Sequence, residues 1–279
     1  VVDLHDGLDN DNALDQLAAL IALSGLEAES TRNSRHGLGP RTLKRNTIRS
    51  YNAIAEKFAS QWFEHPPVLA LEKLLRRLPR RAAVLDAGCG PGHHAKLIAK
   101  SGHEIIGVDL SARMLEIARK SVRSVRFEKM DMQCLTFPRH TFDAIWCAGA
   151  ALHIPREEMI QLLSGYRRVM RPGSILGINL QVGRQSEVIN FGEDRRFFEY
   201  YRDSSEIAEL LSLSGFSVEA RDYGETTRNT HEVDIKLRWA TLYARPNGEP
   251  SRAHGYAGVL PSQEFKLAGD LPTGGMGNE

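Results

Sequence analysis

Val84-Leu85-Asp86-Ala87-Gly88-Cys89-Gly90-Pro91-Gly92 is the stretch that decides the fold of this 279-residue chain. A short apolar strand runs into glycines at alternate positions, and helix-compatible sequence resumes at His93. Glycines after a buried strand let backbone approach a ligand, and the helix that follows turns its free N–H groups toward whatever lies there. The spacing is G-x-G-x-G. The dinucleotide fingerprint G-x-G-x-x-G would need glycine where His93 stands, so a pyrophosphate cofactor is disfavoured. No Lys-Ser/Thr pair turns the loop into a nucleotide P-loop.

Outward from this loop, periodicity predicts strands at 83–87, 104–108, 125–130, 142–148, 174–181, 216–222 and 234–244. Helices are expected between them at 93–101, 112–121, 156–170 and 204–214. Strands alternating with helices imply right-handed crossovers and a mostly parallel sheet with helices on both faces. The last two strands have no helix between them, so they should pair antiparallel at one edge. Upstream, apolar spacing predicts helices at 48–63 and 68–78. Arg76, Arg77, Arg80 and Arg81 near the end of the second are read as cations complementing a helix C-terminus.

Charge is unevenly spread over the first residues. Positions 1–31 carry Asp3, Asp6, Asp9, Asp11, Asp15, Glu27 and Glu29 without Lys or Arg, and the charges from Arg32 to Arg49 are all basic. The acidic run resembles the N-terminal motif of nucleoside hydrolases, yet it lacks their large domain and the register of a calcium loop, so it reads as a solvated segment. A helix is expected at 13–26. The resulting division is an N-terminal extension at 1–46, one domain at 47–246, and a Gly/Pro-rich flexible tail at 247–279.

Three acids follow three successive strands. Asp86 precedes the glycine loop, where a carboxylate would repel phosphate and suit an ammonium group. Asp109 closes the second strand in Gly107-Val108-Asp109-Leu110-Ser111, placed to accept from both hydroxyls of a ribose. Asp131 follows the third, in Lys129-Met130-Asp131-Met132, within reach of a purine amino group. All three lie at the carboxyl edge of one sheet, and together they describe a site for an adenosine with a cationic amino-acid end.

With these residues in place, the sequence resembles the class I S-adenosylmethionine-dependent methyltransferases, of the type that acts on small molecules. The matching motifs are residues 84–92, then 107–111 followed by Arg113-Met114-Leu115, then Met130-Asp131-Met132, Phe142-Asp143-Ala144-Ile145-Trp146, and Arg171-Pro172-Gly173. The resemblance implies a Rossmann-like seven-stranded, mostly parallel sheet with an antiparallel edge strand, and S-adenosyl-L-methionine as cofactor. It also implies that Gly88, Cys89, Gly90 and Gly92 contact the methionine part, with Asp86 beside them. Asp109 is then the ribose ligand and Asp131 the adenine ligand, with Leu110, Met114, Met132 and Cys147 as neighbours. Tyr51-Asn52-Ala53-Ile54-Ala55 resembles the Y-D-x-I-A segment that caps the cofactor; Asn52 and Phe58 replace the usual Asp and Tyr, so only Tyr51 is carried over. An amphipathic helix packing Tyr51 inward is the competing reading.

Methyl transfer from a sulfonium gains much of its rate from alignment, and a base is needed only if the acceptor loses its proton during attack. The run from Cys147 and Ala148 to Leu152-His153-Ile154-Pro155 follows the fourth strand and resembles the A-x-x-L-x-H-[VI]-P pattern of small-molecule members, not the N/D-P-P-Y tetrad. His153 is the catalytic candidate, with loop support as the alternative; His93 and His94 open the helix after the glycine loop. Arg195, Arg196, Phe198, Tyr200 and Tyr201, with Ala148 and His153, are the candidates for the acceptor pocket; a lid whose aromatics pack on the sheet is the competing explanation.

Composition sets the outer limits. A formal net charge of +1 and 42% hydrophobic residues argue against a general nucleic-acid surface, which normally shows a strong basic excess. No apolar run approaches the ~20 residues of a membrane span. Cys89, Cys134 and Cys147 suggest neither a disulfide framework nor a zinc site, and the start lacks a signal peptide's basic-then-apolar order, so a cytoplasmic protein with no metal is expected. The acceptor is expected to be a small molecule, with biosynthesis as a plausible setting. Methylation of RNA or protein through the basic stretch 32–49 is a second reading, and a cofactor-binding cyclase or regulator a third.

Overall fold

The computed structural model describes residues 38–64, 68–183, 187–188, 195–229 and 234–248. The acidic run, the helix expected at 13–26 and all of the tail beyond residue 248 lie outside them. The elements are α1 (Pro40–Glu64), α2 (Leu69–Leu75), β1 (Ala83–Ala87), α3 (His93–Lys100), β2 (Glu104–Asp109), α4 (Ala112–Ser121), β3 (Arg126–Lys129) and β4 (Phe142–Ala148). After two 3₁₀ turns at Ala151–His153 and Arg156–Glu158 come α5 (Met159–Val169), β5 (Met170–Val182), β6 (Glu187–Val188), β7 (Phe197–Phe198), α6 (Ser204–Leu213), β8 (Phe216–Asn229) and β9 (Asp234–Pro246).

The main sheet has seven strands in the order β3-β2-β1-β4-β5-β9-β8. β1 pairs parallel with both β2 and β4, because the chain winds outward to β3 and then crosses back to start again at β4. That reversal opens a crevice at the carboxyl ends of β1 and β4, the place where open α/β sheets bind ligands. β9 runs antiparallel to β5 on one side and to β8 on the other, so the reversed strand sits next to the edge, with β8 outermost.

Burial on both faces explains the apolar character of the central strands. Every residue of β1 is buried. Leu85, Ile145 and Cys147 face a cluster with α5 and α6, whereas Val84, Ala144 and Trp146 face one with α2, α3 and α4.

The structure moves several boundaries, among them β5, which begins at Met170 rather than 174, and β8, which runs on to Asn229 rather than 222; the largest shift at a helix start is at α1. α1 begins at Pro40, eight residues before the helix expected from position 48, and runs unbroken across the boundary placed at 46. Proline is pre-organised for the first helical position, and the Gly39 carbonyl accepts from the amides of Thr42 and Leu43 at 2.9 and 3.1 Å. Leu43 and Thr47 of the added turns are buried, as is Ser50 just beyond them. A second difference concerns the lid: β6 and β7 form a separate two-stranded ladder, Glu187 opposite Phe198 and Val188 opposite Phe197.

Candidate cofactor and acceptor site

The glycine loop is shaped by its backbone. Gly88, Gly90 and Gly92 all have positive φ, at 76°, 53° and 86°. At Gly88 a Cβ would stand 2.2 Å from the Cβ of Ala150, so no side chain fits where the loop after β1 meets the turn after β4. The amides of Gly88 and Cys89 donate to the Val108 carbonyl at 2.8 and 3.0 Å, tying the loop to β2. Cys89 contributes backbone only, since its sulfur is buried in the core beneath Gly107; Cys147 is likewise buried and accepts from the Tyr166 hydroxyl at 3.4 Å. Neither thiol is exposed at this edge, so a contact of Cys89 with a ligand would run through its backbone.

The three acids are brought to one edge. Asp109 accepts from the Gly90 amide at 2.9 Å on one oxygen and from the Ser111 amide at 2.7 Å on the other. Each oxygen keeps a second lone pair, enough for a vicinal diol. Burial raises its pKa, and the amides of Ser111, Gly90 and Leu110 oppose that shift. Asp86 is 2% exposed and accepts from the Ala95 amide at the start of α3, while its Oδ2 has no partner among the described residues. Burial, with the Asp109 carboxylate nearby, pushes it up to about 8. A buried acceptor without a donor costs free energy, and an ammonium group would supply both donor and countercharge. The residues present therefore fit the amino-acid end of S-adenosylmethionine.

Asp131 is tied down more firmly than its motif shows. Its Oδ1 accepts from the Gln133 amide at 3.0 Å and its Oδ2 from Lys44 of α1 at 2.9 Å. Leu110 and Met132 are half-buried, Met132 with its sulfur 3.8 Å from where a Gly88 Cβ would be. Met114 is buried, its amide donating to the Ser111 hydroxyl that caps α4, and so supports the edge from below.

α1 lies across this edge and supplies groups that motif reading missed. Lys44 is one. Asn52 is another: its Oδ1 accepts from the Ser111 hydroxyl at 2.8 Å and the Arg113 amide at 3.1 Å. Arg113 also pairs with Glu56. Phe58 touches the space over Gly90, and Trp62 stacks on His93 with centroids 5.8 Å apart. Burial, with His94 adjacent, lowers His93 to about 2, so its ring is neutral. His94 is buried and accepts from Trp146 Nε1 at 3.1 Å, a core role.

On the acceptor side, His153 Nδ1 is 2.5 Å from the Phe197 carbonyl and its Nε2 is 2.8 Å from the Tyr51 hydroxyl. A carbonyl oxygen can only accept, so in the neutral ring Nδ1 carries the hydrogen and Nε2 accepts from Tyr51. Tyr51 thus bridges to the acceptor side. The Arg196 guanidinium lies 5.1 Å from the Tyr51 ring centroid and 5.5 Å from that of Phe198, whose ring meets His153 edge-on at 4.8 Å. Ala148 is half-buried at the end of β4, and Arg195 is exposed with its amide on the Ser50 hydroxyl at 2.7 Å.

Tyr200 and Tyr201 are corrections. They are 1% and 0% exposed within the core cluster, and the Arg156 guanidinium covers the Tyr201 ring at 5.1 Å, so they are packing residues of the lid rather than acceptor contacts. Arg156 also pairs with Glu206 and, at 3.4 Å, with Glu199, and donates to the Tyr200 carbonyl at 2.9 Å. Sequence offered no sign of this network, because its members lie 43 to 50 positions apart.

Glycine loop, acids and strand order define a class I methyltransferase architecture, and comparison with known proteins agrees. A family model described as a methyltransferase domain matches residues 84–173. The provisionally named methyltransferase YqeM of Bacillus subtilis is 31% identical over 196 residues, covering 64% of this chain and 79% of that protein. The malonyl-[acyl-carrier protein] O-methyltransferase of Enterobacter lignolyticus is 33% identical over 107 residues, 38% of this chain and 42% of that one. In general the match spans about half the length, or less, of the first curated relatives. Among solved structures, a Burkholderia thailandensis 1,6-didemethyltoxoflavin-N1-methyltransferase with bound substrate and S-adenosylhomocysteine superposes with a TM-score of 0.59 at 20% identity, over 76% of this chain and 92% of that one. That likeness is one of fold. The chain belongs to the class I S-adenosylmethionine-dependent methyltransferase family.

Proposed function

We propose that this chain transfers the methyl group of S-adenosylmethionine to a small-molecule acceptor. The observation that carries the reading is the buried, partnerless Oδ2 of Asp86 on the same sheet edge as Asp109 and Asp131. When bound, the cofactor supplies an electrophilic methyl group on a positively charged sulfur. Asp86 holds the ammonium, Asp109 the ribose diol, and Asp131, braced by Lys44, the adenine amino group. α1 covers these parts through Asn52, Phe58 and Trp62 and excludes water from them. The turn at 148–153 and the lid at 195–198 then leave the acceptor to approach from the side opposite the sulfur, where alignment supplies most of the acceleration.

Small molecules are favoured over RNA because Lys44, in the middle of the basic stretch, is spent on Asp131 rather than offered to phosphate. Relatives named for malonyl-[acyl-carrier protein] and hydroquinone methylation support the same direction. Among the described residues no helix is long and apolar enough to cross a membrane, and Cys89, Cys134 and Cys147 are free thiols, which fits a reducing compartment such as cytoplasm. Titration calorimetry with S-adenosylhomocysteine tests the reading: saturable one-to-one binding is expected, and absence of binding to it and to S-adenosylmethionine would refute it.

A further inference from the structure

The Tyr51–His153 contact is built like a proton relay. Nδ1–H of His153 is committed to the Phe197 carbonyl, which fixes the ring in the tautomer whose basic nitrogen, Nε2, faces the Tyr51 hydroxyl. In water the imidazole tautomers exchange freely; here three elements, α1, the turn after β4, and β7, hold one of them. Phe197 is fully buried, and its amide donates to Thr47 on α1 at 3.1 Å, so the carbonyl that orients His153 is itself anchored. The Arg196 guanidinium over the Tyr51 ring favours negative charge developing on the phenol.

From this geometry we infer that Tyr51 is the general base for the acceptor, relaying a proton to His153, and that the acceptor is therefore a hydroxyl compound that reaches the site un-ionised. The inference rests on the methyl-transfer reading above. A carboxylate or thiolate arrives already ionised, and a neutral amine attacks through its own lone pair and sheds its proton afterwards, so none of these needs a base during attack, whereas an alcohol or phenol loses its proton as it attacks. In the step, the acceptor oxygen bonds to the methyl carbon and the electron pair of the broken carbon–sulfur bond stays on sulfur. The acceptor's proton passes to Tyr51 Oη as the proton already there passes to His153 Nε2. The imidazolium so formed has an acceptor for each hydrogen, Tyr51 and the Phe197 carbonyl, and later releases the proton to solvent.

Two measurements on the full chain test this. In the first, nitrogen-15 spectra of histidine-labelled protein with S-adenosylhomocysteine report the tautomer without turnover. A neutral His153 protonated at Nδ1 is expected, with Nε2 losing its hydrogen-bond shift in Tyr51→Phe; a ring protonated at Nε2 overturns the relay. In the second, methyl transfer is followed to a set of simple phenols and to thiophenol as a pre-ionised probe. Phenols should be methylated, and Tyr51→Phe should lower the phenol-to-thiophenolate ratio of kcat by about 100-fold while the phenol KM moves little. Equal losses on both probes mean that the pair is structural, and transfer to no phenol despite cofactor binding removes the hydroxyl acceptor; either overturns the proposal. Failure to bind S-adenosylhomocysteine would instead overturn the methyl-transfer reading itself.

Discussion

The two halves of the carboxyl edge are built on different principles. On the cofactor half, Asp86, Asp109 and Asp131 sit respectively near the end of β1, at the end of β2 and just after β3, so the winding order brings them to one edge, with a distant brace from Lys44 on Asp131. On the acceptor half, every group that matters is held by a distant partner: His153 by Phe197 and Tyr51, 44 and 102 positions away, and Arg156 by Glu199 and Glu206. A site made by strand order tolerates change in the surrounding chain. A site made by long-range contacts can be redesigned for a new acceptor without disturbing the cofactor, and it can also be lost by one substitution.

That contrast is open to direct attack, most severely at Arg156. Glu199 and Glu206 are 1% and 5% exposed, and Arg156 forms an ion pair with each. Arg156→Met keeps the stem and removes the cation that two buried carboxylates share, a change that typically costs about 3–5 kcal/mol. Urea unfolding should show a loss of that order; a loss below about 1 kcal/mol would mean that the acceptor half is held by packing instead. The converse test falls on the cofactor half. Asp109→Ala should weaken S-adenosylhomocysteine binding by at least about 100-fold, because two hydroxyls lose a carboxylate acceptor and hydrogen bonds to charged groups contribute about 1.5–3 kcal/mol each. Unchanged affinity would remove the ribose assignment.

Asn52→Ala probes the seam between the halves. It deletes the bonds to the Ser111 hydroxyl and Arg113 amide that hold α1 across the site, leaving the ribose acid intact. A loss of about tenfold in cofactor affinity is expected, roughly 1.4 kcal/mol. If affinity is unaltered, α1 covers the site without contributing to it.

How much of this was legible follows from the same division. β1, α4 and β4 have the predicted bounds, because apolar runs and turn signals are local. The strand order was legible as a class, since alternating strands and helices admit few arrangements. The start of α1 was missed although Pro40 marked it, because the basic stretch around it reads as a solvated linker until Leu43 and Thr47 are seen buried. Lys44 and Asn52 were invisible as site residues: their partners, Asp131 and Ser111, are 87 and 59 positions away, and nothing local distinguishes them from other polar residues on a helix. Tyr200 and Tyr201 show the opposite error. Aromatics beside arginines suggest a stacking surface, but burial under Arg156 makes them core.

The finest test of the cofactor half is a proton count. Asp86 stands at about 8 without ligand, raised first by burial and then by Asp109. Folding thus favours its protonated form: the contribution to stability is fully present below the ordinary value of 3.8 and is lost as pH rises through 8. At pH 7 the acid is mostly protonated in the free chain. An ammonium group beside it favours the carboxylate, so binding must expel a proton. Calorimetry of S-adenosylhomocysteine at pH 7 in buffers of different ionisation enthalpy should show release of somewhat less than one proton per site. In Asp86→Asn the Asp86-linked part of that release should vanish, and the fall in stability between pH 4 and pH 8 should flatten. A wild-type binding heat independent of buffer would show that the cofactor's ammonium does not meet Asp86, and that the partnerless oxygen is satisfied by something other than the ligand.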